Sequence, residues 1–169
     1  HYVTGTEYVV DTFSHDGIHT VTDVCRYSKI LGGEAVAVYD TMEWVAPGDS
    51  DVPTVTAYAR DVLTAVGLRV GAAHVEIMMT ADGPRLIEVG ARAHGGGHPR
   101  FCEIATGDSQ VQRTARYFAG ELPLPRGYEL RRHMLVVFHL CRRPGLVTSL
   151  DALAEMDRLP SVVDSVHHH

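Results

Sequence analysis

Lysine is nearly missing from this chain. Of its 15 cationic residues only Lys29 is a lysine, and the others are arginines. Chemistry that needs several lysines must therefore find them elsewhere. A basic stripe is lacking too. The formal net charge is −6 and the acidic residues are evenly spread, which excludes the usual electrostatic footprint of a nucleic-acid binder. No apolar run reaches the roughly 18 residues that a membrane span requires. The stretch from His1 to Glu7 has no basic region leading into an apolar one, so no secretory signal is expected. Cysteines are few, odd in number and far apart: Cys25, Cys102 and Cys141. They make neither a disulfide framework nor a zinc knuckle, and their apolar neighbours suggest reduced, packed thiols in a cytoplasmic protein.

What is present is enough for one domain with an appendage: 169 residues, of which 45% are hydrophobic and 21% charged. Residues 6–14 and 18–27 read as strands joined at His15-Asp16-Gly17, and 35–45 reads as extended. A helix is expected over 53–66, where Val55, Tyr58, Ala59, Val62, Leu63 and Val66 recur at helical spacing before Gly67. Strands are expected at 72–80 and 84–90, then a glycine-rich loop from Ala91 to Pro99 and a helix over about 108–119. Farther on, 132–141 reads as a strand, 150–159 as a short helix and 161–166 as a last strand. Strands in antiparallel hairpins with few helices favour an α+β fold over a doubly wound one.

The hairpin 74–90 carries the strongest chemical signal. A three-residue loop at Ala81-Asp82-Gly83 sets Val75 against Val89 and Ile77 against Ile87, good apolar cross-strand pairs. In that register Glu76 lies directly opposite Glu88. A one-residue slip would turn the faces inside out, so the register is well specified. Opposed side chains have Cβ atoms roughly 5 Å apart, and like charges there are destabilising. A cation between them removes the penalty, and oxygen-only ligands point to Mg²⁺ or Mn²⁺ with phosphate completing the shell. Two solvated glutamates on a wet face are the plainer alternative. Arg92 comes four residues after Glu88, and its donor fork suits a phosphate or carboxylate oxygen. His94-Gly95-Gly96-Gly97-His98 comes next. Consecutive glycines lose much backbone entropy on ordering, which suits a loop that closes over a ligand. A contact with substrate through His94, Gly95, Gly96, Gly97 or His98 is one expectation. A transition-metal pair from His94 and His98 is disfavoured, because their four-residue spacing spans glycines rather than a helical turn. His15, His19, His74, His133 and His139 read as structural or surface residues.

Together these residues resemble the ATP-grasp superfamily of ATP-dependent carboxylate–amine ligases. The family carries an acidic residue on one strand, a glutamate about a dozen residues later, and Glu-x-Asn-x-Arg. Glu76, Glu88 and Arg92 match, while Gly90 replaces the Asn and removes an expected metal ligand. The Glu-x-Gly-Ala-Arg run followed by glycines looks like the L-amino-acid ligase branch. The resemblance implies the C-terminal lobe of the ATP-grasp module over 1–122, an antiparallel sheet with flanking helices. It implies an appendage over 123–169, where Arg143 to Val147 and Leu159 to Val162 match more weakly.

By the same resemblance the backbone of Tyr2 and Val3 would meet the adenine edge. Glu7 would accept from the ribose hydroxyls, and Lys29, or alternatively Arg26, would reach the γ-phosphate. Glu76 and Glu88 would hold Mg²⁺, with Arg92 and Lys29 stabilising the transferring phosphoryl group. The implied activity joins a carboxylate to an amine through an acyl phosphate at the expense of ATP. Its rivals are a biotin-carboxylase-like or formate-using enzyme, and a catalytically silent binding or assembly module. The lobe with the glycine-rich phosphate loop and its lysines is expected in preceding regions of a longer protein, so the fragment alone is expected to be inactive. The partners expected are ATP, small acids and amines, and those regions, with neither nucleic acid nor membrane among them.

Overall fold

The computed structural model describes residues 3–31, 37–140, 145–146 and 148–165. Tyr2, Cys141, Arg143, Pro144 and Val147 lie outside them. Strand β1 (Thr6–His15) turns into β2 (Ile18–Leu31), and β3 (Ala37–Trp44) comes after it. Helix α1 (Val52–Ala65) precedes the hairpin of β4 (Gly71–Thr80) and β5 (Gly83–Gly90). Helices α2 (His98–Thr106) and α3 (Gln110–Phe118), strand β6 (Leu135–Val137) and helix α4 (Asp151–Met156) complete the order. The strands form one six-stranded antiparallel sheet in the order β5-β4-β1-β2-β3-β6. The α+β expectation holds.

The chain divides into two compact units, His1–His139 and Leu140–His169. The sheet belongs to the first. The second contains α4 and keeps Leu146, Leu150 and Leu159 exposed.

Alternation along the strands explains the layers. Tyr8, Val10, Val24, Val75 and Ile77 point to one face, where Val55, Ala59 and Leu63 of α1 cover them. Pro53 in the first turn suits the α1 start, since its missing N–H is an orphan there anyway. Val9, Cys25, Met42 and Trp44 point the other way and meet Cys102 and Ala105 of α2. The β1–β2 turn has Asp16 at φ 51° and Gly17 at φ 82°, the positive angles a two-residue hairpin turn demands.

Three local expectations are corrected. Helix α2 occupies residues read only as the end of a glycine loop and the unassigned stretch beyond it. The strand expected over 132–141 shrinks to Leu135–Val137, and residues 161–165 form no strand. In the β4–β5 hairpin Val75↔Val89 and Glu76↔Glu88 pair as expected, but Ile77 meets Leu86, not Ile87. The turn is tighter, with Thr80 opposite Gly83, and a bulge beside Glu76 absorbs Ile87 as an extra residue. That bulge restores the expected register at the glutamates.

Candidate functional site

The α2-side face of the sheet collects the acidic and basic residues singled out above. Register places Glu7 beside Met78 on β4 and Tyr27 on β2, and Val9 beside Glu76, so Glu7, Tyr27, Glu76 and Glu88 share that face. Lys29 is two residues beyond Tyr27 and returns to the same face. Its ammonium donates to Glu7 Oε2 and lies 4.7 Å from the Tyr39 ring centre. Tyr39 in turn packs on Tyr27 at 4.5 Å between centroids. Glu7 is only 4% exposed, and its Oε1 is buried with no hydrogen-bond partner among the described residues. Arg26 faces the opposite way, opposite Tyr8, and binds Glu43 at 2.7 Å. Arg26 and Lys29 thus lie on opposite faces of the sheet.

Glu88 is well exposed on the edge strand, and Arg92 Nη2 approaches it at 3.9 Å. Glu76 is more enclosed. Its Oε1 lies 3.1 Å from His74 Nε2, and that hydrogen bond is the chief cause holding its carboxyl below the usual range. Gly90, where the family pattern has Asn, pairs across the hairpin with His74. The acidic pair fits a hard divalent cation: its donors are all oxygen, they face each other on one rung, and their environment keeps Glu76 ionised.

Behind this pair lies a buried network absent from the sequence-based expectations. Asp11 and Asp23 are directly opposite each other on β1 and β2 and almost wholly enclosed. Asp11 Oδ1 is 2.9 Å from His74 Nδ1, and its Oδ2 is 2.7 Å from His94 Nδ1 and 3.2 Å from His98 Nε2. His98 Nε2 also lies 2.7 Å from Asp23 Oδ2, so this imidazole bridges the two aspartates. His94 and His98 stack with centroids 3.7 Å apart, and Trp44 stacks on the far side of His98 at 4.6 Å. Tyr27 OH is 3.3 Å from His94 Nε2.

Charge explains the arrangement. Burial alone would raise Asp11, but hydrogen bonds from His74 and His94 outweigh it and hold the carboxyl well below its ordinary value. Burial likewise pushes His74 down, yet Asp11 and Glu76 together hold it up at about 9. His98 is raised against burial by Asp23, whereas burial wins at His94 and lowers it. Asp11, His74 and His94, and likewise Asp23, His98 and Cys102, bring donor atoms within 4.8 Å of one another and could hold a metal ion. Yet the contacts of 2.7–2.9 Å within both sets are hydrogen bonds between the residues themselves. Burial also raises the Cys25 and Cys102 thiols, which keeps them protonated and unreactive. His74, expected as a structural or surface residue, is buried and bridges Asp11 and Glu76. The available signal was an acidic residue placed inside each of two apolar strands, Asp11 and Asp23, in need of a cation.

The glycine loop is fastened to this network. Gly96 and Gly97 take φ of 61° and 77°, which L side chains resist, and the chain then enters α2 at His98. Gln110 of α3 accepts from the His94 N–H at 2.8 Å and donates to Thr12 O and Ala73 O at 3.0 and 2.8 Å. His94 and His98 therefore turn inward, while Gly95, Gly96 and Gly97 stay exposed above the sheet.

Residues 1–99 match the family model described as an ATP-grasp domain. Over 152 residues the chain is 31% identical to dapdiamide A synthase of Enterobacter agglomerans, covering 86% of this chain and 36% of that protein. The L-amino acid ligase of Bacillus licheniformis superposes with a TM-score of 0.79 at 18% identity, over 94% of this chain and 40% of that one. The N5-carboxyaminoimidazole synthetase of Staphylococcus aureus complexed with ADP gives 0.57 at 17% identity, over 79% and 35%. The chain thus spans little more than a third of the curated relative it matches. With the family model covering more than half of its residues, the chain belongs to the ATP-grasp family.

Proposed function

We propose that this chain is the metal- and phosphate-binding half of an ATP-dependent ligase that joins a carboxylate to an amine. The observation that carries the reading is the Glu76–Glu88 rung, with Arg92 at its exit and the Glu7–Lys29 pair on the same sheet face. The likeness to a synthase and an L-amino acid ligase supports an amide product.

Glu7 takes the ribose hydroxyls on Oε1, Val3 lies along the adenine edge, and Lys29 turns from Glu7 toward the terminal phosphate. Glu76 and Glu88 hold Mg²⁺ or Mn²⁺, which when bound neutralises charge on the β- and γ-phosphates. A substrate carboxylate oxygen attacks the γ-phosphorus, giving an acyl phosphate and ADP. The amine then attacks the acyl carbon, loses a proton and expels inorganic phosphate. Arg92 and Lys29 stabilise the negative charge on the transferring group. The exposed Gly95–Gly97 segment, with His94 and His98 anchoring its ends, closes over the acyl phosphate and excludes water.

Calorimetry of Mg-ATP binding to the intact protein tests this reading. Glu88→Gln is expected to weaken nucleotide binding at least tenfold in Mg²⁺ and to leave the metal-free value unchanged. Equal binding by both proteins with no metal dependence refutes it.

A further inference from the structure

We propose that the buried Asp11–His74 pair is a positioning device that holds Glu76 in its metal-binding orientation; this rests on the reading of Glu76 as a metal ligand. Strand register brings the three residues together. Asp11 of β1 lies opposite His74 of β4, and Glu76 is the next residue of β4 on that face. The three side chains therefore share one face of two neighbouring strands. Both ring nitrogens of His74 meet carboxylates, Nδ1 at 2.9 Å from Asp11 Oδ1 and Nε2 at 3.1 Å from Glu76 Oε1.

His74 is only 3% exposed and Asp11 wholly buried, so neither competes with water for its partner. Asp11 is held in turn by His94 and His98 from the glycine loop and α2. A glutamate side chain has three rotatable bonds, and ordering it costs entropy each time a cation binds. Fixing Oε1 through an imidazole that is itself anchored meets that cost during folding. Outer partners of this kind are generally worth ten- to a hundredfold in metal affinity.

The two ring nitrogens can be replaced separately. A glutamine amide nitrogen reaches about as far as Nε2 and keeps the donor to Glu76, whereas an asparagine nitrogen mimics Nδ1 and keeps only the Asp11 contact. In the intact protein with a non-hydrolysable ATP analogue, Mn²⁺ binding is followed by electron paramagnetic resonance. His74→Asn is expected to weaken Mn²⁺ about tenfold and to bind at least about threefold more weakly than His74→Gln. A smaller difference between the two overturns the proposal, because a merely structural histidine would suffer equally from both.

Glu76→Gln is measured alongside. If it leaves Mn²⁺ binding unchanged, the ligand assignment itself fails and takes the proposal with it. If it weakens binding while the two His74 variants stay level, only the positioning role fails. Should the variants not fold, the unmutated protein labelled with ¹⁵N-histidine decides. Adding Mg²⁺ with the analogue should shift the Nε2 resonance of His74 but not that of His19, which contacts Thr64. An unmoved His74 resonance overturns the proposal.

Discussion

His98 sits between two aspartates on β1 and β2, stacked by His94 and Trp44, with Cys102 on its own helix. Its raised proton affinity, and that of His74 at about 9, make metal-free stability depend on pH. A group whose folded value exceeds its ordinary 6.5 contributes fully below 6.5, and the contribution drains away as pH rises through the folded value. For His74 the loss is on the order of 3 kcal/mol, complete only above pH 9. His94 is shifted the other way, so it costs stability as pH falls below 6.5. The thermal midpoint in EDTA is therefore expected to decline from pH 7 to 9, and a level midpoint would contradict the pairing. The Glu76–Glu88 rung was legible through the Val75–Val89 pair beside it, although the Ile77–Ile87 pair does not form and the bulge at Ile87 offsets the tighter turn. The Asp11 network was not, since it needs three strands, a loop and a helix to converge.

Helix α3 begins with Ser109, fully buried, whose side chain accepts from the Gln112 N–H and donates to Glu103 at 2.8 Å. It is both a cap and a tie to α2. Ser109→Ala should cost about 1–2 kcal/mol, read as a lower denaturant midpoint with an unchanged slope. A loss under about 0.3 kcal/mol would show that the cap is replaced by neighbours. The effect should reach the site, because the next residue, Gln110, fastens His94 to the sheet. The sequence marked a helix over about 108–119, although the residues α3 buries are Gln110 and Arg113 rather than its apolar ones. It did not mark α2, whose buried face is assembled from His98, Cys102, Ala105 and Thr106 and so has no aliphatic stripe. The Ile87 bulge was equally hidden, for an extra residue in a strand has no signature of its own.

At the scale of the molecule, β5 is an edge strand, and Leu86 and Ile87 are 39% and 45% exposed on it. An edge strand with apolar side chains invites pairing with another chain, although the Leu86 N–H already donates to Tyr58 OH at 3.1 Å. The isolated chain is expected to self-associate at high concentration, and Ile87→Lys to reduce that association in light scattering. Equal association by both would place the sticky surface elsewhere. The fold class was readable from hairpin spacing and turn residues.

The Ile87 bulge also has a mechanical meaning. It stands between the hairpin tip and the acidic rung, with Ala81 and Asp82 exposed at the tip. A slip of one residue at the tip can be taken up there before it reaches the glutamates. A change of loop length at Ala81-Asp82 is therefore expected to leave Glu76 and Glu88 paired.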